Sequence, residues 1–143
     1  MLTYGLIVSM AVRNVAGLIL YNDQNQVLLQ HRSEDALRSP GYWGFFGGGI
    51  EEGETPEQAL ARELVEELEY RVSAPRLVLT QKFMHGEDEN TKYIFIEKYV
   101  PKTKFTQHEG QGMGWWGFED MSNLLISDHD RIALSKIKGI LNA

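Results

Sequence analysis

Residues 47–70, GGGIEEGETPEQALARELVEELEY, bring together a glycine loop, a marked helix start and a row of carboxylates. Thr55 is a favourable N-cap, Pro56 suits the first helical position, and Gln58 completes a capping-box pattern. The apolar residues that follow recur at spacings of four and form one stripe, made of Leu60, Leu64 and Leu68. The stretch therefore predicts a helix that begins at Thr55–Pro56 and packs one face on a core.

Three glutamates of this helix share a second face because they stand three and four residues apart: Glu63, Glu66 and Glu67. Like charges at these spacings weaken an isolated helix by roughly 0.2–0.5 kcal/mol per pair. Arg62 reaches Glu66 one turn on, but one guanidinium cannot neutralise three carboxylates. A bound hard cation can, and clustered oxygen ligands suit Mg²⁺ or Mn²⁺. For a glutamate-rich helix taken alone, a solvated acidic face is the alternative.

The glycines before the helix favour the metal site over the solvated face. Gly47, Gly48, Gly49 and Gly53 lead directly into the helix N-terminus. Glycine lets a backbone approach a ligand closely and adopt positive φ, and a helix N-terminus attracts anions. Glycine-rich loops also occur as ordinary turns, so the combination with the carboxylates carries the interpretation.

The charged positions of this stretch resemble the signature of the Nudix hydrolases, which cleave nucleoside diphosphates linked to another group. Gly48 is followed after five residues by Glu54, and after seven more by the run from Arg62 to Glu67, RELVEE. The pattern covers more than twenty residues, and every charged position in it is filled. One position departs from it: Glu69 stands where the family usually has the glycine that ends the helix.

The resemblance implies an α/β fold, namely a single-domain α/β/α sandwich of the Nudix type with a mixed central β-sheet, over residues 1–143. The β-rich runs that agree with it are residues 15–20, 27–30, 42–46, 77–83 and 93–100. The first two should pair as antiparallel neighbours. Side chains of the last run should alternate between the two faces of the sheet.

Three connecting or terminal segments complete the predicted fold. Residues 84–91 are expected to form a hairpin loop, and residues 118–125 a short helix. Ser127 with Asp130 suggests a capping box for the last helix. The buried stripe of that helix is predicted to contain Ile132, Ala133, Ile137, Ile140 and Leu141.

The resemblance also implies a division of roles around bound Mg²⁺, for which Mn²⁺ is a substitute. The expected metal ligands are Glu63, Glu66 and Glu67 together with the carbonyl of Gly48. Arg62 is expected to orient Glu66, and Glu54 to support the loop or the outer metal shell. The catalytic residues implied in this way are Glu54, Arg62, Glu63, Glu66 and Glu67.

Seven residues are candidates for substrate binding: Arg32, Phe46, Gly47, Gly48, Gly49, Glu109 and Trp115. Arg32 ends a strand where the family often has a basic residue near the substrate phosphates, although a plain surface residue is the alternative. Phe46 stands where the family usually has proline, and it either packs in the core or lines the nucleotide pocket. Glu109 is a candidate extra metal ligand or general base, with a solvated loop glutamate as the alternative.

Trp115 and Trp116 follow a glycine-rich loop and should begin a strand. Neighbouring strand residues point to opposite sides, so at most one of the two can stack on a base. The other then packs in the core or lies at an interface.

The function that follows from the resemblance is that of a MutT-like nucleoside triphosphate diphosphohydrolase of the house-cleaning kind. It would release a nucleoside monophosphate and pyrophosphate. A hydrolase of nucleotide sugars, ADP-ribose or dinucleoside polyphosphates is the alternative within the family. A non-catalytic nucleotide sensor is more remote, because the glutamates that such proteins lose are all present. Isoprenoid diphosphate isomerase chemistry is disfavoured by the lack of cysteine.

Composition limits the class of protein further. The 143 residues include no cysteine and carry a formal net charge of −6. The acidic balance argues against general nucleic-acid binding, and the lack of cysteine permits a reducing cytoplasm, where we expect the protein to lie. We expect no membrane span, because the apolar segment at residues 1–12 is far too short for one.

The N-terminal segment leaves two interpretations open. Residues 1–10 are predicted to add a strand that covers a sheet edge or a partner in a homodimer. Alternatively, Met10 is the biological start and the first nine residues are incidental.

Overall fold

The sheet and its two flanking helices account for most of the chain in the computed structural model, which describes residues 13–101 and 104–142. The strands are β1 (Val15–Tyr21), β2 (Val27–His31), β3 (Trp43–Gly44), β4 (Phe46–Gly49), β5 (Arg76–His85), β6 (Asp88–Lys98) and β7 (Gly112–Trp116). The helices are α1 (Pro56–Leu68), a short 3-10 helix (Phe118–Asp120) and α2 (Asp128–Leu141). The extra strand predicted at residues 1–10 lies outside the described residues.

The seven strands form one mixed sheet in the order β3-β2-β1-β6-β5, with β4 also paired to β1 and β7 to β2. β1 runs parallel to β6, whereas every other described pair is antiparallel. β1 and β2 are antiparallel neighbours, with Tyr21 opposite Val27. The predicted mixed sheet and the predicted pairing of its first two strands are therefore confirmed.

Side chains of the central strands alternate between two buried clusters, one on each face of the sheet. On β6, Phe95 belongs to the cluster that packs on α1, while Ile94 and Ile96 belong to the cluster that packs on α2. On β1, Leu18 faces α1 and Ile19 faces α2. A strand buried on both faces in this way fixes a helix above and below it, which confirms the α/β/α sandwich.

The start of α1 follows the predicted capping box. The Thr55 hydroxyl accepts from the Gln58 amide at 3.1 Å, and the Gln58 side chain accepts from the Thr55 amide at 3.0 Å. At the other end the helix stops after Leu68, and Glu69 adopts the left-handed conformation at φ 55° that glycine normally supplies. Glu69 therefore ends the helix where the family has glycine, at a cost of about 1 kcal/mol in backbone strain.

Two connecting predictions are wrong in extent. The hairpin loop expected at residues 84–91 is much tighter, because β5 continues to His85 and β6 starts at Asp88, with Gly86 at φ 64° between them. The helix expected at residues 118–125 is only the 3-10 turn at Phe118–Asp120. Met121 and Ile126, which follow that turn, are nevertheless buried in the cluster that packs on α2.

The buried face of α2 also differs from the predicted stripe. Ile132 is 64% exposed, so its inclusion was wrong, whereas Ala133 and Ile137 are buried and Ile140 and Leu141 pack against the same cluster as predicted. Asp130 and Leu134 are buried on this face as well. The Ser127 hydroxyl accepts from the Asp130 amide at 3.4 Å, but the Asp130 carboxylate turns to Lys92 instead of closing the capping box. Ile132 stands two residues after Asp130, so the turn of the helix points it away from the side that Asp130 buries.

No helix within residues 13–101 and 104–142 is both long enough and apolar enough to cross a bilayer.

Replacing Gly139 by alanine should raise the free energy of unfolding by about 0.5–1 kcal/mol, because the helix interior favours alanine. The added methyl group would meet no neighbouring atom within 4 Å. Gly53→Ala is the matched control, since its site is equally open but has φ +85°, and there we expect a loss of about 1 kcal/mol. Urea unfolding measures both, and a destabilised Gly139→Ala variant would contradict the assignment of α2.

Candidate active site

A cavity of about 280 Å³ opens beside β4 and the start of β1. Its walls come from both faces of the sheet. On the α1 side the acidic lining residues are Glu63, Glu67 and Glu109. On the α2 side the lining includes Phe45, Phe83, Lys92, His129 and Asp130. Arg32, Arg38 and Tyr42 line it from the segment around β3.

Glu67 is the most buried carboxylate of the α1 wall, at 5% exposure. Its Oε1 accepts a hydrogen bond from the Gly47 amide at 2.9 Å, which ties the helix to the glycine strand. Burial, followed by the neighbouring Glu109 carboxyl, raises the pKa of Glu67 to about 10. Without a cation beside it, this group therefore holds a proton at neutral pH.

Glu109 reaches Glu67 because residues 104–111 run along the C-terminal end of α1. The amide of Thr106 donates to the Leu68 carbonyl at 2.9 Å, and the amide of His108 donates to the Glu67 carbonyl at 2.8 Å. These bonds satisfy carbonyls that a helix end leaves without partners. The segment thereby closes the helix and places a carboxyl group from a distant part of the chain beside Glu67.

Two glycines of β4 allow close approach, and at the first of them, Gly47, the backbone requires glycine. Gly47 has φ +140°, and a Cβ there would lie 2.0 Å from the Ala16 carbonyl oxygen. A Cβ on Gly48 would lie 2.5 Å from the Glu63 carboxyl group. The glycine strand therefore lets β1 on one side and the Glu63 side chain on the other approach the backbone closely.

Arg62 connects the loop, the glycine strand and the helix. Its guanidinium donates to both oxygens of Glu54 at 2.9 Å and to the Gly49 carbonyl at 2.9 Å. It also donates to Glu63 at 3.1 Å, whereas its contacts with Glu66 are 3.5 Å long. Arg62 therefore contacts Glu66 as expected, through Nη1, but its shorter hydrogen bonds go to Glu54, Gly49 and Glu63.

Glu54 supports the loop before the helix. Besides the two bonds from Arg62, its Oε1 accepts from the Glu51 amide at 2.8 Å. The hydrogen bonds from Arg62, and then the one from Glu51, lower the pKa of Glu54 to about 2. Glu54 is thus charged throughout the neutral range and acts on the geometry of the loop.

The structure brings most of the predicted substrate and metal residues to the cavity. Those that line it are Arg32, Phe46, Gly47, Gly48, Gly49, Glu63, Glu67 and Glu109. Phe46 lines the cavity with its backbone, because its side chain is buried in the core at 2% exposure. Glu54 and Arg62 lie behind this lining, and the Glu66 side chain is 56% exposed on the same helix.

Trp115 is a correction to the predicted site. Its ring packs against the α1 core cluster and lies near Tyr99 and Phe105, with ring centroids 5.2 and 6.5 Å away. Trp116 takes the opposite face and meets Trp43 edge to face. The two tryptophans do alternate, but both serve as packing residues, because β7 pairs with β2 on the far side from β4.

The α1 wall fits a hard divalent cation in its donor chemistry, with carboxylate oxygens and a glycine backbone on one surface. Glu63 and Glu67 come from one helix, and Glu109 adds a third carboxyl group. Within the described residues, no three acidic or histidine side chains are already grouped as metal ligands. The reason is visible in the hydrogen bonds, since Glu63 turns to Arg62 and Glu67 to the Gly47 amide.

The α2 wall carries polar residues that sequence reasoning missed. Lys92 and Asp130 form an ion pair at 2.6 Å, and His129 stacks on Phe83 with ring centroids 4.9 Å apart. Burial lowers the pKa of His129, which keeps its ring neutral at pH 7. Lys92 ends the polar run DENTK of β6 and so gave no signal in the sequence, and Asp130 looked like an ordinary helix cap.

The family follows from comparison with known proteins. A profile described as the NUDIX domain matches residues 11–135, so the chain belongs to the Nudix family. An uncharacterized Nudix hydrolase of Listeria monocytogenes is 34% identical over 95 residues, which are 64% of this chain and 54% of that protein. This chain thus matches about half the length of that relative.

Two further similarities extend along almost the whole chain. Nucleoside triphosphatase NudI of an Enterobacter strain is 27% identical over 143 residues, covering 92% of this chain and 100% of that protein. A crystal structure of a MutT protein from Methanosarcina mazei has a TM-score of 0.80 and 18% identity, covering 92% of this chain and 96% of that one. The structural similarity confirms the Nudix fold.

Acid should weaken the fold partly through Glu54. Its pKa is about 2 in the folded state and 4.5 as a free group, so its contribution is complete above pH 4.5 and is lost as pH falls toward 2. Glu54→Gln should therefore reduce the decline in unfolding free energy between these two pH values. Urea unfolding at several pH values measures the decline, and Glu57→Gln on the exposed side of α1 is the control. Parallel curves for wild type and Glu54→Gln would contradict the assignment.

Proposed function

We propose that this Nudix protein hydrolyses nucleoside triphosphates to a nucleoside monophosphate and pyrophosphate, with Mg²⁺ or Mn²⁺ as cofactor. The observation that carries the proposal is the arrangement of Glu63, Glu67 and Glu109 on one cavity wall, facing the glycine strand. The name of NudI, a relative matched over its full length, supports a triphosphate as substrate.

The chemistry of a phosphoanhydride sets what the site must supply. The negative charge of the phosphates repels an attacking water, so catalysis consists mainly of charge neutralisation and positioning. A divalent cation held by Glu63, Glu66, Glu67 and the Gly48 carbonyl would offset the charge of the phosphate oxygens. Arg32 and Arg38 line the cavity and can bind the outer phosphates by charge-assisted hydrogen bonds.

Glu67 and Glu109 are the candidates for handling the proton of the attacking water. We assign the accepting role to Glu109, because Glu67 Oε1 already accepts from Gly47 and Glu67 is the more deeply buried. Burial, and then the nearby Glu109 carboxyl, raises the pKa of Glu67, so Glu67 favours its protonated form until positive charge enters the cavity. Arg62 and Glu54 hold the loop and helix in position and do not touch the reacting atoms.

Three wider expectations stay proposals. We propose that the chain acts as one domain, in the cytoplasm and as a homodimer. We also propose that its partners are small nucleotides and not nucleic acids, in line with the acidic net charge of −6.

Glu67→Gln should lower kcat for the preferred triphosphate by roughly 10²–10³-fold, because a neutral amide holds a cation more weakly and so reduces the electrostatic stabilisation of the phosphates. Glutamine can still accept from the Gly47 amide and is of similar size, so the fold should persist. Mg²⁺-dependent release of pyrophosphate measures the loss, and circular dichroism checks the fold. Glu57→Gln, which removes an exposed carboxylate from the same helix, should leave turnover unchanged. Unchanged turnover in Glu67→Gln would place the active site elsewhere.

A substrate panel tests the class of substrate directly. It should contain triphosphates, ADP-ribose, nucleotide sugars and dinucleoside polyphosphates, with phosphate and pyrophosphate detected separately. Pyrophosphate released from triphosphates supports the proposal. Faster cleavage of ADP-ribose or a nucleotide sugar would keep the family and overturn the triphosphate, whereas no hydrolysis at all would favour a nucleotide sensor.

A further inference from the structure

The Lys92–Asp130 ion pair on the α2 wall has no role in the chemistry proposed above. Nζ of Lys92 lies 2.6 Å from Oδ1 of Asp130 and 4.8 Å from the centre of the Phe45 ring. The two side chains are only 12% and 9% exposed, yet both line the cavity. A buried ion pair contributes little net stability compared with apolar packing, so its position in the cavity wall calls for a functional explanation.

One oxygen of this pair is available to a ligand. Oδ1 of Asp130 binds Lys92, while Oδ2 receives no hydrogen bond from any residue in the described part of the chain. Gly44 lies opposite, where a Cβ would come within 3.5 Å of Oδ2. The absence of a side chain on Gly44 therefore leaves the approach to this acceptor open. Asp130 lines the cavity, so a ligand there can donate to Oδ2 while Lys92 holds the carboxylate through Oδ1.

The pair presents a short row of hydrogen-bonding groups. Lys92 is a donor, and the two oxygens of Asp130 are acceptors. The Watson–Crick edge of guanine carries the complementary row, with the O6 acceptor followed by the N1–H and N2–H donors. Adenine and cytosine each place a ring acceptor beside their amino group, and thymine has only one donor between two carbonyls. Guanine is therefore the common base that matches all three positions.

Aromatic side chains around the pair suit the faces of a flat base. Phe83 and His129 stack on each other with an interplanar angle of 22°, and both line the cavity together with Phe45. Stacking on aromatic rings binds any base, because every base has a flat face. Discrimination between bases must therefore come from hydrogen bonds to the polar edge.

We propose that the Lys92–Asp130 pair is a base-recognition site that selects guanine nucleotides, with Asp130 accepting from N1–H and N2–H and Lys92 donating to O6. This inference rests on the proposed function, because it places the base on the α2 wall while the phosphates meet the α1 wall. Gly44 keeps the edge accessible, and the aromatic rings pack on the base.

The first test needs no mutation. The kcat/KM for dGTP should exceed that for dITP, which lacks only the 2-amino group, by roughly 10- to 100-fold, as expected for loss of part of a two-bond contact to a base edge. dATP, dCTP and dTTP should be slower than dGTP as well. Equal kcat/KM values for dGTP and dITP would overturn the proposal.

Asp130→Asn replaces one acceptor by a donor and should lower kcat/KM for dGTP by roughly 10- to 100-fold, with a much smaller effect on dTTP. Asp23→Asn is the matched control, because Asp23 forms an exposed ion pair with Lys98 at 2.7 Å and does not line the cavity. If Asp130→Asn fails to fold, Gly44→Ala takes its place, since the new methyl group covers Oδ2 and leaves both charges intact. A folded variant that keeps the dGTP preference contradicts the site.

Binding separates this inference from the proposed hydrolysis. Calorimetric titration with GMP, IMP and AMP requires no turnover, and GMP should bind at least tenfold more tightly than IMP. A GMP preference without hydrolysis of any triphosphate supports the base site and overturns the hydrolase. Hydrolysis of all triphosphates without base preference keeps the hydrolase and overturns the base site. If the protein shows no binding preference and hydrolyses no triphosphate, both proposals are overturned.

Discussion

The Arg62 guanidinium is the interaction on which the geometry of the α1 wall depends. It holds both oxygens of Glu54 in the loop and the Gly49 carbonyl at the end of β4, while its own backbone belongs to α1. A planar fork of this kind fixes direction as well as distance, which a lysine in its place does not. The separation between the glycine strand and the helix is thereby set, and with it the close approach of Glu63 to Gly48.

The second constraint is the repulsion between the carboxylates that are concentrated on the α1 wall. Neighbouring groups reduce this repulsion. Arg62 pairs with Glu54 and approaches Glu63 and Glu66, while burial raises the pKa of Glu67. Although the whole chain is acidic, the cavity also contains four cationic side chains: Arg13, Arg32, Arg38 and Lys92. A phosphate chain thus meets basic groups in the cavity, and the carboxylates can be reserved for a cation.

Local sequence signals predicted the elements that depend on neighbouring residues. The capping box at Thr55, the alternation along β6 and the pairing of β1 with β2 were all readable, since each follows from spacing within a few residues. The glycine positions were also readable, because only glycine permits the backbone contacts that β4 makes.

Long-range packing determines the parts that sequence left open. Glu109 lies 42 positions after Glu67, and only the path of residues 104–111 along α1 brings them together. Asp130 had the appearance of a helix cap, and its partner Lys92 lies 38 residues earlier in the chain. Trp115 was misplaced for the same reason, because the side that a strand turns to the cavity depends on which neighbour it pairs with.

The closure of α1 by residues 104–111 links catalytic competence to local stability. Opening this segment breaks the bonds from Thr106 and His108, uncovers the last carbonyls of the helix and withdraws Glu109 from Glu67 in the same event. The segment and the helix end therefore open together as one cooperative unit. The free energy of this local opening lies below the free energy of global unfolding. Activity should then fade with warming before the sheet itself melts, and amide hydrogens of the two parts should exchange together.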